Sequence, residues 1–149
     1  MGTTTFSGPI KAGTVSDTTG TAADGKKANV GSVVMAQSVA WQQTTTVDTG
    51  MVIPANSQIL EIELLITTAP TAANLTIGNA TGGAQLGTAM ALGTADDLVL
   101  RFSTADTTDL WADVGSSDVP VWVTSSTGTA GRGVLTVSYI QGNDIALIA

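Results

Sequence analysis

Residues 59–68 read Ile59-Leu60-Glu61-Ile62-Glu63-Leu64-Leu65-Ile66-Thr67-Thr68. Apolar and polar side chains alternate with a period of two, which is the signature of a strand with one buried face. The alternation puts Leu60, Ile62, Leu64 and Ile66 on the core side. Glu61, Glu63 and Thr67 fall on the other side, together with Ile59 and Leu65. Nowhere in the chain do apolar residues keep a 3.6-residue spacing long enough to specify a helix.

Working outward, the same period recurs. Val33 to Trp41 reads as a strand that Gln42 to Val47 extends, and Asp48-Thr49-Gly50 reads as a turn. Met51-Val52-Ile53 is short and extended, and Pro54 to Gln58 is a loop. Asn74 to Gly78 is a short strand, whereas Gln85 to Leu92 fits a loop, a weak strand or one helical turn. In Asp97 to Ser103, Leu98, Leu100 and Phe102 oppose Val99 and Arg101. Thr104 to Asp118 is a polar loop that holds Trp111. Val119, Val121 and Val123 line one face of the next strand, and Pro120 marks an edge or a bulge because it lacks a backbone donor. A glycine-rich connection, residues 127–133, leads into a final strand from Val134 to Ile140, with Leu135, Val137 and Tyr139 on one face. The expected core is Leu60, Ile62, Leu64, Ile66, Leu98, Leu100, Phe102, Val121, Val123, Leu135 and Val137. About seven antiparallel strands between turn signals predict an all-β fold, a single antiparallel β-sandwich that is jelly-roll-like in outline. The sequence shows no internal repeat, which argues against a propeller or solenoid.

The two ends differ from this body. Residues 1–29 are mostly Thr, Ser, Gly, Asp and Lys, with Phe6 and Ile10 as the main large apolar groups. Such a segment cannot offset its own chain entropy. It therefore reads as an extended N-terminal arm, with residues 30–149 as the sandwich domain. The arm either lies on its own domain as an edge strand or clasps a neighbouring subunit, and the clasp is the favoured expectation. Phe6 and Ile10 would be its apolar anchors, and Lys11, Lys26 and Lys27 its basic contacts. At the other end Ile145 and Leu147 sit in an apolar C-terminus that is expected to dock on its own core or on a neighbour.

Composition narrows the function. The chain has 149 residues, a net charge of −7 and only 11% charged residues, with five basic side chains in all. Nucleic-acid binding needs a basic face, so it is not expected. Without cysteine or histidine, thiol chemistry, Cys-type zinc sites and the commonest general base are excluded. The start has neither a basic n-region nor an apolar h-region, so it is not expected to act as a signal peptide, and no apolar run approaches the length of a membrane span. Neither a Gly-x-Ser-x-Gly nucleophile elbow nor a phosphate-binding Gly-rich loop occurs.

Three constellations remain. Glu61 and Glu63, two apart on one strand face, have a spacing compatible with paired glycosidase carboxylates, but two acids on a solvent face are ordinary. Asp106, Asp109, Asp113 and Asp118 cluster in one loop but match no calcium-loop spacing, so a solvated acidic loop is expected. Trp41, Trp111 and Trp122 are half of the aromatic residues. They suit core or subunit-interface anchors better than a carbohydrate platform. No enzyme activity and no cofactor is expected.

Several motifs carry a family resemblance. They are Ile53-Pro54-Ala55-Asn56-Ser57-Gln58-Ile59 opening a strand that ends Thr67-Thr68-Ala69, then Leu75-Thr76-Ile77-Gly78, then Thr129-Ala130-Gly131-Arg132-Gly133-Val134-Leu135-Thr136-Val137-Ser138-Tyr139-Ile140. With the opening Gly2-Thr3-Thr4-Thr5-Phe6, the chain resembles small β-rich structural proteins of tailed bacteriophages. The resemblance implies a virion protein on the outer capsid surface, most simply a decoration (cement) protein. Its partners would be the major capsid protein and copies of itself, most simply as a homotrimer. A head-fibre or tail-tip protein binding a receptor or glycan is the alternative. The motifs are turn and strand chemistry, and the family brings no catalytic residues to carry over.

Overall fold

A computed structural model describes residues 34–94, 98–102, 109–128 and 130–141, together with the backbone of four short strands before them. Phe6, Ile10, Ile145 and Leu147 lie outside the described residues.

The strands run β1 (Lys11–Ala12), β2 (Val15–Asp17), β3 (Lys26–Ala28), β4 (Gly31–Ser32), β5 (Val34–Gln42), β6 (Thr46–Ile53), β7 (Gln58–Thr68), β8 (Ala73–Gly78), β9 (Gly87–Leu92), β10 (Leu98–Phe102), β11 (Val119–Ser125) and β12 (Arg132–Ile140). A 3-10 turn, Asp109–Trp111, precedes β11.

The eight strands of the body form two antiparallel four-stranded sheets, ordered β10-β7-β12-β5 and β6-β11-β8-β9. The pairings nest: β8 pairs with β9, β7 with β10, β6 with β11 and β5 with β12. The body is thus one long two-stranded ribbon, folded back at residues 79–86. The ribbon is rolled so that β12 also meets β7 and β11 also meets β8. That is the jelly-roll arrangement of two Greek keys, as the period-two pattern and turn spacing predicted. Gln85 to Leu92, open in the sequence, is resolved as strand β9.

The core lies between the sheets. Ile62, Leu64 and Ile66 from β7 and Leu135 and Val137 from β12 meet Leu75 and Ile77 from β8 and Val121 and Val123 from β11. Leu98 and Leu100 keep the predicted phase but are half-buried, because β10 is an edge strand. The expected burial of Leu60 is overturned: Leu60 is 42% exposed and Ile59 is buried. The reason is a β-bulge. Tyr139 pairs with Ile59 and Ser138 with Glu61, so Leu60 is an extra residue with no partner of its own. One inserted residue reverses the in–out phase of everything before it.

The expected turn at Asp48-Thr49-Gly50 is also corrected. These residues lie inside β6, where the register against β11 slips between Pro120 and Trp122. Gly50 takes a left-handed φ of 71°. Side chains replace the lost ladder: Asp48 Oδ1 accepts from Gly50 N–H at 2.9 Å, and Thr49 Oγ1 donates to Val121 O at 2.6 Å and accepts from Met51 N–H at 3.1 Å. Turn-forming residues here build a bulge because both flanks already pair with one strand. Pro120 sits beside that bulge.

The four short strands β1 to β4 pair two by two. Lys11–Ala12 pairs with Gly31–Ser32, and Val15–Asp17 with Lys26–Ala28, both antiparallel. The described pieces of the arm belong to two separate two-stranded antiparallel sheets, and in the second Asp17 stands opposite Lys26 and Ser16 opposite Lys27. A polar segment without core residues can satisfy its backbone groups by pairing with itself.

Candidate interaction surface

The outward face of the β10-β7-β12-β5 sheet is distinctive. Among the described residues six large apolar side chains are exposed, and five lie here: Val34 (59%), Val99 (42%), Leu60 (42%), Leu65 (37%) and Val134 (36%). Register places them in rows. Val99, Leu65, Val134 and Ala40 are direct cross-strand neighbours and form an apolar row across the full width of the sheet. The next row, Arg101, Glu63, Thr136 and Ser38, is polar. Beyond it come Glu61, Ser138 and Ala36, and then Ile140 beside Val34, with the bulged Leu60 alongside.

The polar row is satisfied internally. Arg101 Nε lies 3.0 Å from Glu61 Oε1 and 3.0 Å from Glu63 Oε2. It donates its single hydrogen to Glu63, and Glu61 is held by charge. The guanidinium is thereby held above its ordinary range, first by the hydrogen bond to Glu63 and then by the charges of Glu61 and Glu63. Ser38 and Thr136 share a hydroxyl–hydroxyl hydrogen bond of 2.9 Å. Arg132, exposed at the far end of β12, brings the face to two cations and two anions on a chain whose net charge is −7. The face is thus apolar and electrically balanced on a strongly acidic molecule.

At one end of this face is an open hollow of about 690 Å³ lined by Val34, Leu60, Glu61, Arg101, Phe102, Trp111 and Ser138. The bulge makes it, because it turns Leu60 and Glu61 outward together opposite Ser138. The hollow offers apolar walls and a neutralised ion cluster. The Glu61–Glu63 pair, which the sequence spacing raised as possible acid–base partners, is engaged with one arginine instead.

The tryptophans separate. Trp41 and Trp111 are 4% and 5% exposed and belong to the core. Trp111 Nε1 donates to Leu86 O at 2.8 Å, which anchors the loop before β11. Both rings are too buried to form a sugar-stacking platform, although Trp111 contributes to the wall of the hollow. Trp122 is half-buried and points outward from β11, opposite Gly78 and Asp48. In the acidic loop, Asp113 Oδ1 accepts from Gly115 N–H at 2.8 Å and Asp118 Oδ1 from Ala55 N–H at 2.9 Å. These acids organise backbone, and among the described residues no three ligating side chains come together.

Sequence reasoning missed Gln43, which is fully buried. Its Nε2 donates to Thr71 O (2.8 Å) and Thr127 O (2.9 Å), and its Oε1 accepts from Thr71 N–H (2.9 Å) and Gly131 N–H (3.1 Å). One amide thus ties two loops to the end of β5. Gln43 stands beside Gln42 in a polar run, and no pattern in the sequence marks it as internal.

No protein-family model matches the chain, and no curated protein matches it in sequence. Its fold is found in phage capsid structures. One similar chain is from the acidic stable capsid structure of Helicobacter pylori bacteriophage KHP30, at 13% identity and a TM-score of 0.55, covering 72% of this chain and 87% of that one. Another is from the capsid of Ralstonia phage GP4, at 20% identity and a TM-score of 0.54, covering 74% and 85%.

Proposed function

We propose that the protein is a phage virion structural protein, and specifically a capsid decoration (cement) protein on the outer surface of the head. The observation that carries this reading is the shared jelly roll: chains of two phage capsids superpose over about three-quarters of this one. Jelly rolls also serve as lectin and cupin domains, so fold alone does not choose among them. The phage-like strand and turn motifs in the sequence favour the virion.

The surface suits the role. A decoration protein needs flat faces and ordered arms, not a deep pocket. It would add buried area across seams between capsomers of the major capsid protein. Single contacts can be weak, because many copies act together. A homotrimer on a three-fold or quasi-three-fold axis is the simplest closed arrangement. The arm, with Phe6, Ile10, Lys11, Lys26 and Lys27, is the proposed capsid clasp, and its short strands β1 to β4 would pair with the capsid by β-augmentation.

Quantitative densitometry of purified virions tests the reading. A decoration protein is expected in hundreds of copies per particle, and a particle reconstruction places it over capsomer junctions. A few to tens of copies, at the tail or on head fibres, overturns the proposal in favour of receptor or glycan binding. Trp41 and Trp111, two of the three rings that a carbohydrate platform would use, are buried.

A further inference from the structure

The outward face of the β10-β7-β12-β5 sheet has an order across its strands that a second copy of the same face can match. The apolar row runs Val99, Leu65, Val134, Ala40, and the next row runs Arg101, Glu63, Thr136, Ser38. In that second row the charges lie on the β10-β7 half and the hydroxyls on the β12-β5 half. The third row repeats the division, with Glu61 on β7 and Ser138 on β12. At one end of the face the order reverses, with Arg132 on β12 and Thr68 opposite it on β7. At the other end Leu60 stands out from β7 and Ile140 from β12. Each charged side chain in one half therefore has a hydroxyl at the mirrored position in the other half.

We propose that this face docks a second copy of the chain, sheet against sheet, about a two-fold axis that runs along the strands between β7 and β12. In such a contact residue i meets j and j meets i. Leu65 comes over the partner's Val134, Val99 over the partner's Ala40 and Leu60 over the partner's Ile140, so apolar groups cover apolar groups. Arg101 comes over the partner's Ser38, Glu63 over the partner's Thr136, Glu61 over the partner's Ser138 and Arg132 over the partner's Thr68. No charge faces a charge, and each has a hydroxyl within the contact. Net charge points to the same face. Two copies at −7 each repel, and repulsion is least where Arg101 and Arg132 balance Glu61 and Glu63. Area sets the strength. Four strands about 4.8 Å apart, along the nine residues of β12 at about 3.4 Å each, outline roughly 1,100 Å² over the two copies. That lies at the lower bound for a specific interface, so the pair is expected to dissociate in the micromolar range. The pairing uses the sandwich body alone and rests on neither the capsid reading nor the three-fold arrangement proposed above.

Sedimentation of the purified full chain across the micromolar range is expected to show reversible pairing. Val134→Asp sets a carboxylate against the partner's Leu65 and is expected to weaken that pairing about tenfold or more. Val52→Asp, at the exposed valine of β6 on the opposite sheet, is the control and is expected to leave it unchanged. Equal effects of the two variants, or none from Val134→Asp, overturn docking on this face. A second measurement reads the axis without a charged variant. The chain contains no cysteine, so Ala40→Cys and Val99→Cys report cleanly. About the stated axis two copies of the same position are offset by three strand spacings, about 14 Å, whereas Ala40 faces the partner's Val99 across about 10 Å between stacked sheets. A thiol cross-linker of about 10 Å reach is expected to join the mixed variants about fivefold faster, or more, than either variant alone. Like-to-like joining at an equal or greater rate overturns the axis. A chain that stays monomeric and does not cross-link overturns self-docking and leaves the face to a capsid protein or to the chain's own ends.

Discussion

At the scale of single residues, Gln43 and the bulge at Leu60 make the sharpest claims. Gln43 holds four good hydrogen bonds in a site closed to water. Replacing it by leucine takes the side-chain partner from the Thr71 carbonyl and from the Thr71 and Gly131 N–H groups, each costing about 1–3 kcal/mol if left unmet, while Thr127 O keeps its bond from Ser125 Oγ. Gln43→Leu is expected to lose at least about 3 kcal/mol in urea unfolding, because buried networks fail as units. Around the bulge, Ile59→Ala is expected to cost about 2–4 kcal/mol, as a large-to-small core change, whereas Leu60→Thr costs less than about 1 kcal/mol. The reverse order, measured by the same unfolding, would mean that the strand phase is the one the alternation of residues 60–66 suggests when extended without interruption. Arg101 belongs to a different class. It is 68% exposed, so its ion pairs order the surface and are screened by salt.

At the scale of elements, β6 and the arm carry the predictions. Gly50 has a left-handed φ with open space around its α-carbon, so the penalty for a side chain is backbone strain. Gly50→Val is expected to destabilise the protein by about 1–2 kcal/mol, and Gly50→Asn by less, because Asn tolerates that region. Paired thermal melts distinguish the two. Deleting residues 2–12 removes β1 and the basic Lys11 but no member of the eight-stranded body. The truncated protein is expected to keep the far-ultraviolet dichroism of a β fold and to bind capsids more weakly. Binding at full occupancy and affinity would show that the arm is not a clasp.

At the scale of the whole molecule, topology sets the kinetics. β5 and β12 pair residues roughly a hundred positions apart, and the fold consists of such closures nested within one another. Proteins built from non-local strand pairs fold in milliseconds to seconds. Stopped-flow refolding is expected at the slow end of that range, and a microsecond phase accounting for full recovery would contradict the nested ribbon. The proposed trimer is checked by sedimentation of the purified chain and by reconstruction of particles. Monomers that touch no other copy on the particle would rule it out.

Much of the architecture was legible in the sequence, because a strand with one buried face must alternate and residues 59–68, 98–102, 119–125 and 134–140 do so. Turn residues between these runs, with too little helical periodicity for any alternative, determined an antiparallel sandwich. The acidic charge and missing cysteine and histidine limited the chemistry just as directly. What the sequence left undetermined depends on pairing partners. Leu60 looks like a core residue until β12 sets a register that passes over it. Asp48-Thr49-Gly50 is a turn by local preference and a bulge only because β11 runs along both its flanks. Gln43 is polar and unremarkable until loops distant in sequence close around its amide. The apolar outer rows arise only when four strands are laid side by side, since Val99, Leu65, Val134 and Ala40 are far apart along the chain. Local chemistry determines which residues extend and which turn; register and burial are properties of pairs, and only tertiary structure decides those.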